Sequence, residues 1–331
     1  MAVGALQRTE IKRGLRPFDP LRDILPVAEL IELAFAADLE TEGREILQGM
    51  RAAASVAPLW GMLDRLLSLG DYFSGYVWVE EGKVVGNTTL TRAGLGRRDY
   101  VISNVAVHPA YRRQGNARRL MEAAIQAARQ RGAPWVVLEV RRDNYAAKAL
   151  YEQLGFVVVD AHSVLVLEAW PPAIHLEGEL PIRALGAGDE GRIQQLRRAA
   201  RSEWARRLDG EPSSPPPTWW VRASQLGGRF LLGEGQLGWG WADGDELWAA
   251  LSLCATRWGA RHRLELWARP ERHGHGERAL IARALSALGR YPRRPTRATL
   301  RPSYPQAVES LRLMGFRHLR TLERMILELG D

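Results

Sequence analysis

Apolar positions in the first half of the chain alternate between helical spacing and short continuous runs, which predict helices and strands in turn. Ile24, Val27, Ala28 and Ile31 share one face at helical spacing, whereas Glu81-Gly82 separates two apolar runs as a hairpin turn does. Strands that enclose single helices indicate an α/β fold with a mixed, partly parallel sheet. The predicted strands are Ile11–Phe18, Tyr76–Glu80, Val84–Thr91, Tyr100–Val107, Trp135–Val140, Phe156–Val159 and Ser163–Glu168, and the predicted helices are Leu21–Ala36, Glu42–Leu69 with a break near Pro58, Gly115–Arg131 and Asn144–Leu154.

The second half of the chain repeats three landmarks of the first half in the same order. The paired landmarks are residues 15–18 with 182–185, Pro109 with Pro270, and Gly155-Phe156 with Gly315-Phe316. The last two are 46 residues apart in the first half (155 − 109) and 45 apart in the second (315 − 270). A period of about 160 residues is far longer than that of solenoid repeats, so the pattern indicates duplication of a whole domain.

We therefore predict two tandem domains, residues 1–170 and 171–331. The segment Trp170–His175 is a candidate linker, and the proline-rich segment Glu211–Thr218 is predicted to be an extended loop. A length of 331 residues agrees with this division, since domains average about 150 residues.

The composition is that of a globular protein, with 46% apolar and 25% charged residues, and it excludes a mainly disordered chain. No uncharged apolar run reaches the roughly 18 residues of a transmembrane helix. Met1–Glu10 lacks the apolar core of a secretory signal. Cys254 is the only cysteine, which excludes an intramolecular disulfide. Together these features lead us to expect a cytoplasmic protein.

The net charge of +8 is concentrated in the second half. Residues 1–170 carry 21 basic and 20 acidic side chains (+1), whereas residues 171–331 carry 25 and 18 (+7). A basic half suggests a polyanionic partner such as nucleic acid. The arginines are scattered rather than grouped in blocks, which favours an ordinary solvated surface instead.

The most informative stretch runs from Val105 to Leu120, where a buried strand leads through a tight loop into a helix. The first N–H groups of a helix lack internal partners and lie at the positive end of its dipole. Small residues at Gly115 and Ala117 allow a ligand to approach this backbone closely, and Arg112 and Arg113 add positive charge. The arrangement is suited to binding a pyrophosphate, although an ordinary strand–turn–helix would have the same outline.

Two motifs in this half resemble those of the GNAT N-acetyltransferase superfamily. Arg112-x-x-Gly115-x-Ala117 matches its acetyl-coenzyme A signature, and Asn144 followed by Leu150-Tyr151-Glu152-Gln153-Leu154-Gly155-Phe156 matches its second landmark. The resemblance covers about Leu15 to Glu168, and it implies two tandem GNAT-like domains that use acetyl-coenzyme A as cosubstrate without a metal. The coenzyme-binding residues implied are Val105, Ala106, Val107, Arg112, Arg113, Gln114, Gly115, Asn116, Ala117, Asn144 and Ala147.

The resemblance implies direct transfer of an acetyl group to an amine. The strand Val105–Val107 is expected to splay from the strand Trp135–Val140, so that the pantetheine arm enters the gap. Tyr151 would then be the general acid that protonates the leaving sulfur, although packing of its ring in the core is the alternative. Asn144 would contact the pantetheine region or cap the helix that follows it.

The general base stays open at this stage. The strand Ile102–Val105 has no carboxylate, although the resemblance leads us to expect one there. Glu139 and Glu80 are weak candidates, since each is more simply explained as a surface or structural carboxylate. A water molecule held by Ser103 or Asn104 is another candidate.

The second copy departs from these motifs. If Pro270 is aligned with Pro109, Gly276 falls on Gly115 but Glu277 and Arg278 fall on Asn116 and Ala117. If Gly315 is aligned with Gly155, Leu311 falls on Tyr151 and Tyr304 on Asn144. We expect a degenerate domain without transferase activity.

Two further features of the second half are candidates for other roles. His273 and His275 are a weak candidate for a metal pair. The second half also has four tryptophans on predicted strands, and we expect them mainly to pack in the core or between domains: Trp239, Trp241, Trp248 and Trp267.

Three functions remain open from the sequence. The first is an active N-acetyltransferase that acts on a small-molecule amine or a peptide N-terminus. The second is a non-catalytic acyl-coenzyme A sensor or regulatory module, favoured by the missing strand carboxylate. The third, a nucleic-acid-associated protein, is motivated only by the basic second half and lacks a recognisable binding motif. Neither the acceptor nor the oligomeric state can be read from the sequence.

Overall fold

A computed structural model describes residues 12–36, 47–48, 50–51, 74–93, 98–168, 180–200, 204, 233–244 and 246–330. Most of the predicted helical region Glu42–Leu69, the candidate linker Trp170–His175 and the proline-rich segment Glu211–Thr218 lie outside these residues. The chain divides into two compact units by its internal contacts. Unit 1 comprises residues 1–139, 146–157 and 325–331, and unit 2 comprises residues 140–145 and 158–324. The proposed boundary at residue 170 stays a prediction, since the candidate linker is not described.

Unit 1 is built on a mixed sheet in which β1 to β4 are antiparallel neighbours in chain order and β5 joins β4 in parallel. Two of the helices pack on this sheet. The buried face of α1 lies on β3 and β4 and shares a hydrophobic cluster with Val77 and Val79 of β2. α2 turns Leu120, Met121, Ala124 and Ile125 inward at helical spacing. The elements are β1 (Gly14–Pro17), α1 (Pro20–Ala34), β2 (Ser74–Glu80), β3 (Lys83–Arg92), β4 (Tyr100–Val107), α2 (Asn116–Gln130), β5 (Trp135–Arg141) and α3 (Tyr145–Gln153).

Unit 2 repeats the same pairing pattern. Strands β7 to β10 are antiparallel neighbours in chain order, β11 joins β10 in parallel, and β6 then pairs with β11 in antiparallel. This repetition of topology supports the duplication inferred from the sequence. The elements are β6 (Val157–Leu167), β7 (Ile182–Ala184), α4 (Glu190–Ala199), β8 (Gly235–Asp243), β9 (Glu246–Ala255), β10 (His262–Ala268), α5 (Glu277–Leu288), β11 (Thr296–Leu300), α6 (Pro305–Leu313) and β12 (Arg317–Glu328).

Most predicted elements of the first half are confirmed within one or two residues at each end. The β2–β3 hairpin is an example, because its turn residues have the backbone geometry that the sequence predicts. Glu81 and Gly82 both have positive φ angles, 50° and 78°, which is the geometry of the two-residue turn that matches strand twist. One prediction was wrong: residues 156–159 and 163–168 were expected to be separate strands, but they belong to the single strand β6. The polar residues Asp160 and Ser163 interrupt the apolar pattern, but the strand continues through both. The Asp160 carboxylate accepts a hydrogen bond from Arg301, and Ser163 lies opposite Leu300 of β11.

Both units contain an ion pair of the same kind, buried in unit 1 and half-exposed in unit 2, which the sequence alone did not reveal. In unit 1, the Arg16 guanidinium makes two hydrogen bonds, 2.5 and 2.6 Å long, to the Asp23 carboxylate, which also accepts the backbone N–H of Asp19. In unit 2, Arg183 makes two hydrogen bonds, 2.9 and 2.6 Å long, to Asp189. Such two-pronged pairs fix geometry as well as charge. The pair ties the first strand of each unit to the start of the helix that follows.

The strand tryptophans are used mainly for packing, as expected. Trp239 and Trp241 pack against the main core of unit 2, and Trp267 packs against the smaller cluster around Leu196. The Arg197 guanidinium lies 4.2 Å from the centre of the Trp267 ring, and that of Arg272 lies 4.6 Å from the centre of Trp248. Arg197 and Arg272, which contribute to the surplus positive charge of this half, therefore make cation–π contacts within the same half.

Among the described residues, no helix combines the length and the apolar character needed to cross a bilayer.

The Arg183–Asp189 pair predicts a pH dependence of stability. The Arg183 guanidinium holds the pKa of Asp189 well below its usual range, so this carboxylate stabilises the folded state fully above its unfolded pKa of about 4 and less as the pH falls below it. We expect Asp189→Asn to lower the free energy of unfolding by about 1 kcal/mol at pH 7, because Arg183 is partly exposed. The deficit relative to wild type should shrink below about pH 4. Urea unfolding at a series of pH values measures it, and a pH-independent deficit would contradict the ionic origin.

Candidate functional site

The loop after β4 places the start of α2 at the end of a buried strand. The backbone N–H of His108 donates to the carbonyl oxygen of Val85 at 2.8 Å, which holds the end of β4 against β3. A short 3-10 turn over Pro109–Tyr111 follows. Arg113 and Gly115 then adopt left-handed backbone conformations, with φ angles of 63° and 80°. Two such turns within three residues reverse the chain, so that α2 begins at Asn116 directly above the strand end.

The first turn of α2 leaves its N–H groups facing an open space. Gly115, at the N-cap position, makes no side-chain capping hydrogen bond, and the N–H of Arg119 is the first to bond back, to the carbonyl oxygen of Gly115 at 3.1 Å. A Cβ atom placed on Gly115 would meet no atom within 4 Å. Consecutive N–H groups around left-handed residues form a concave anion-binding surface, and the helix dipole adds to its positive potential. The loop therefore fits a pyrophosphate group.

Two side chains predicted to bind the coenzyme help to shape this loop. The Arg112 Nε atom donates to the carbonyl oxygen of Val107 at 3.1 Å, and its Nη2 atom donates to that of Ala34 at 3.3 Å. The buried side chain of Asn116 donates from Nδ2 to the carbonyl oxygen of Tyr111 at 3.1 Å. Because these contacts tie both side chains to the backbone, a ligand would meet chiefly the main-chain N–H groups of this loop.

β4 and β5 part in the way that the sequence predicted. In the described part of the chain, their parallel register covers only Tyr100–Ile102 opposite Val136–Leu138. On the other side of β4, the register with β3 shifts between Asn87 and Thr89. Asn104 has a φ angle of 51° at this bulge. Beyond this bulge Ala106 and Val107 still pair with Asn87 and Gly86 of β3, whereas the side of β4 that faces β5 has no described strand partner after Ile102 and could pair with an extended ligand.

Tyr151 lies in α3 and is buried, with 7% of its surface exposed. Its ring centre is 6.1 Å from that of Phe156, whose N–H donates to the Tyr151 carbonyl oxygen. Burial raises the pKa of Tyr151 to about 12, so the phenol is protonated at neutral pH. No partner for its hydroxyl group is found among the described residues, and this leaves the O–H able to donate to a ligand atom.

α3 is held close to the loop helix within unit 1, because Arg118 in the first turn of α2 donates to the side chain of Gln153 at the end of α3. Asn144 lies immediately before α3, the position of a helix cap, and its N–H donates to the Arg141 carbonyl oxygen at 3.0 Å. Asn144 is grouped with unit 2 and Ala147 with unit 1. Their predicted contacts with the coenzyme stay predictions.

The candidate bases differ in their surroundings. The Glu80 carboxylate accepts from the Trp78 Nε1 atom and pairs with Arg13, both at 3.0 Å, beside the β2–β3 hairpin. Glu139 is exposed and is the first residue of β5 after the paired stretch ends at Leu138. The Asn104 side chain is exposed at the bulge, with Nδ2 3.4 Å from Thr89 Oγ1. Of the two carboxylates, Glu139 lies where the strands part.

The corresponding loop of unit 2 is closed by its own side chains. Glu277 is buried at the start of α5, where its carboxylate accepts backbone N–H groups from Gly274 and Gly276. Tyr304 is buried and donates its hydroxyl proton to the same carboxylate. Leu311, at the position of Tyr151, is fully buried in the core. Arg278, which falls on Ala117 of the first half, is exposed.

The two histidines of this loop have different neighbours. The His273 ring stacks on Tyr304 with ring centres 3.8 Å apart, and the His275 ring stacks on Trp241 at 6.4 Å. The described residues contain no cluster of three or more His, Cys, Asp or Glu side chains suited to a metal ion. Both rings make aromatic contacts, and His275 Nδ1 also lies 3.2 Å from the carbonyl oxygen of His273.

Comparison with known proteins defines the class. Residues 45–156 match the model of the Acetyltransferase (GNAT) family. This stretch, about a third of the chain, contains the loop, the strands β4 and β5 and Tyr151. The fold of the whole chain is a tandem GNAT fold. A GCN5-related N-acetyltransferase from Sphaerobacter thermophilus aligns over 97% of both chains with a TM-score of 0.65 and 19% identity. A tandem GNAT protein from the clavulanic acid biosynthesis pathway aligns over 96% of this chain and 98% of its own, with a TM-score of 0.54 and 17% identity.

Several curated relatives resemble part of the first half. The ribosomal protein bS18-alanine N-acetyltransferase of Escherichia coli K12 is 38% identical over 87 residues, which are 26% of this chain and 57% of that protein. The N-alpha-acetyltransferase RimI of Mycobacterium tuberculosis is 41% identical over 78 residues, 23% of this chain and 46% of that protein. The chain thus spans about half the length of these relatives.

A pair of glycines that flank α2 tests the anion site. Gly115 and Gly132 both have positive φ angles, 80° and 68°, so replacing either by alanine should cost about 1 kcal/mol of stability. Only Gly115 lies in the loop. We expect Gly115→Ala to weaken acetyl-coenzyme A binding at least tenfold, because the methyl group would occupy the open space that a phosphate needs, while Gly132→Ala should bind normally. Calorimetric titration of both variants measures this, and equal weakening would contradict the assignment.

Proposed function

We propose that this protein is an N-acetyltransferase that transfers an acetyl group from acetyl-coenzyme A directly to an amine, with the chemistry in unit 1. The observation that carries the proposal is the uncapped loop at the start of α2 beside strands that part after Ile102 and Leu138. It is supported by the family match over residues 45–156. The loop N–H groups from Arg113 to Ala117 would bind the pyrophosphate, and the backbone of Val105–Val107 would pair with the pantetheine arm.

Tyr151 acts on the leaving group in this proposal. The amine nitrogen forms a bond to the acetyl carbonyl carbon, the carbon–sulfur bond breaks, and the sulfur takes a proton from the Tyr151 hydroxyl. The phenolate regains a proton from solvent. Because the Tyr151 pKa is raised to about 12, the hydroxyl remains a donor over the whole pH range in which an amine becomes neutral.

The acceptor class that we favour is the N-terminal amine of a peptide or protein. The bS18-alanine N-acetyltransferase and RimI are named for that kind of acceptor. A small-molecule amine is the alternative. The competing function, a non-catalytic acyl-coenzyme A sensor, rests on the lack of a carboxylate in the strand segment Ile102–Val105.

Replacing Tyr151 by phenylalanine separates catalysis from binding. We expect Tyr151→Phe to bind acetyl-coenzyme A as the wild type does and to lose about 100-fold or more in kcat, since the donor to the sulfur is gone. Release of free thiol with a library of amines and short peptides measures turnover. Tyr145→Phe is the matched control, because Tyr145 begins the same helix and is 77% exposed. Unchanged turnover in Tyr151→Phe would exclude the acid role, and wild-type binding without turnover on any amine would favour the sensor.

The general base is tested by a second pair of variants. Glu139 lies where the described pairing of β4 with β5 ends, whereas Glu80 lies beside the β2–β3 hairpin. We propose Glu139 as the group that removes the amine proton, directly or through water, and expect Glu139→Gln to lower kcat by about 100-fold. Glu80→Gln should leave kcat unchanged. If both variants turn over normally, the remaining candidate is a water molecule held at Ser103 or Asn104.

A further inference from the structure

The start of α5 in unit 2 already holds an anion, and the anion is part of the chain. The Glu277 side chain folds back over its own helix terminus. Its Oε1 atom accepts the N–H of Gly274 at 2.6 Å, and its Oε2 atom accepts the N–H of Gly276 at 3.0 Å. Only 2% of Glu277 is exposed. A buried carboxylate is stable only when its oxygens are fully paired, and here the pairing comes from the helix terminus.

The N–H groups that Glu277 binds correspond to groups that are open in unit 1. With Pro270 aligned on Pro109, Gly274 corresponds to Arg113 and Gly276 to Gly115. Gly274 keeps the left-handed conformation of its counterpart, with a φ angle of 93°. The loop of unit 2 therefore presents the same kind of N–H surface, but a carboxylate covers it.

Two further substitutions complete this closed cluster. Tyr304, at the position of Asn144, donates its hydroxyl proton to the Glu277 Oε1 atom. The His273 ring, at the position of Arg112, stacks on Tyr304 with ring centres 3.8 Å apart. The Trp241 ring covers the other side, because a Cβ atom on Gly276 would lie 2.9 Å from it. On Gly115 of unit 1 the same atom would meet nothing within 4 Å.

We propose that unit 2 retains the anion-binding loop of its ancestor and that the Glu277 carboxylate is its resident anion, so that this loop takes no coenzyme. The phosphate-class ligand of unit 1 is replaced by a tethered carboxylate of this chain. A tethered group competes at a high effective concentration, and its charge-assisted hydrogen bonds leave no N–H group of Gly274 or Gly276 for a phosphate. Each chain then has one coenzyme site. That count rests on the proposed function of unit 1, whereas the occupancy of the unit 2 loop does not.

The occupancy is tested by removing the carboxylate and supplying it again. Glu277→Ala leaves the N–H groups of Gly274 and Gly276 and the Tyr304 hydroxyl unpaired, and we expect the unfolding temperature to fall by roughly 5 °C or more. Sodium formate should restore part of this loss, because it places a free carboxylate in the vacated space. Inorganic pyrophosphate is a second probe of the same space. Neither salt should shift the wild-type temperature by as much as it shifts the variant.

Glu271→Ala is the matched control, since Glu271 lies in the same loop and is exposed. It should unfold like the wild type and show no rescue by formate. If Glu277→Ala does not fold, Glu277→Gln keeps the side-chain volume and removes the charge, and it should show the same loss in smaller degree. Wild-type stability in Glu277→Ala, or a variant that formate does not stabilise more than the wild type, would overturn the proposal.

The coenzyme count gives an independent readout in the full chain. Calorimetric titration of the wild type with acetyl-coenzyme A should give one site per chain, and two sites would overturn the proposal. Asn116→Glu places the same carboxylate in the loop of unit 1, and we expect it to reduce coenzyme binding at least 100-fold. If the wild type binds no coenzyme at all, the proposed function of unit 1 fails, while rescue of Glu277→Ala by formate still supports the closed loop of unit 2.

Discussion

A helix that starts directly after a buried strand has N–H groups without internal partners, and the structure of this protein depends on how each unit meets that requirement. In unit 1 the left-handed residues Arg113 and Gly115 turn the chain so that these groups face open space. In unit 2 the Glu277 carboxylate binds the equivalent groups. The same local geometry thus forms an open loop in one unit and a closed polar cluster in the other.

The open loop is useful only because the neighbouring strands part beside it. The parallel register of β4 with β5 ends at Ile102, so the backbone of Val105–Val107 pairs with β3 on one side and lies outside the described register with β5 on the other. Tyr151 is buried within the same unit, where loss of water keeps its hydroxyl protonated. In the proposed function the open loop, the end of the β4–β5 pairing and the buried Tyr151 are three parts of one site, and each depends on backbone geometry and burial more than on charged side chains.

The positive charge of the second half has a local explanation in several places. Arg183 is engaged by Asp189, and Arg197 and Arg272 lie over tryptophan rings. An arginine that is stacked or ion-paired contributes to folding as well as to surface potential. These contacts weaken the argument from net charge to a nucleic-acid partner, because they assign part of the surplus to the architecture of unit 2.

The sequence by itself determined the element order, the duplication and the loop with Gly115, because helical spacing, turn residues and matched landmarks are properties of neighbouring positions. It also located Tyr151 through a motif. It did not reveal the Arg16–Asp23 and Arg183–Asp189 pairs, since nothing in either spacing, seven residues in one and six in the other, marks them as partners. Nor did it show that Glu277 and Tyr304, 27 residues apart, close the second loop together. Only the tertiary structure decided these points, because a hydrogen bond depends on distance in space and the chain must fold before such residues meet.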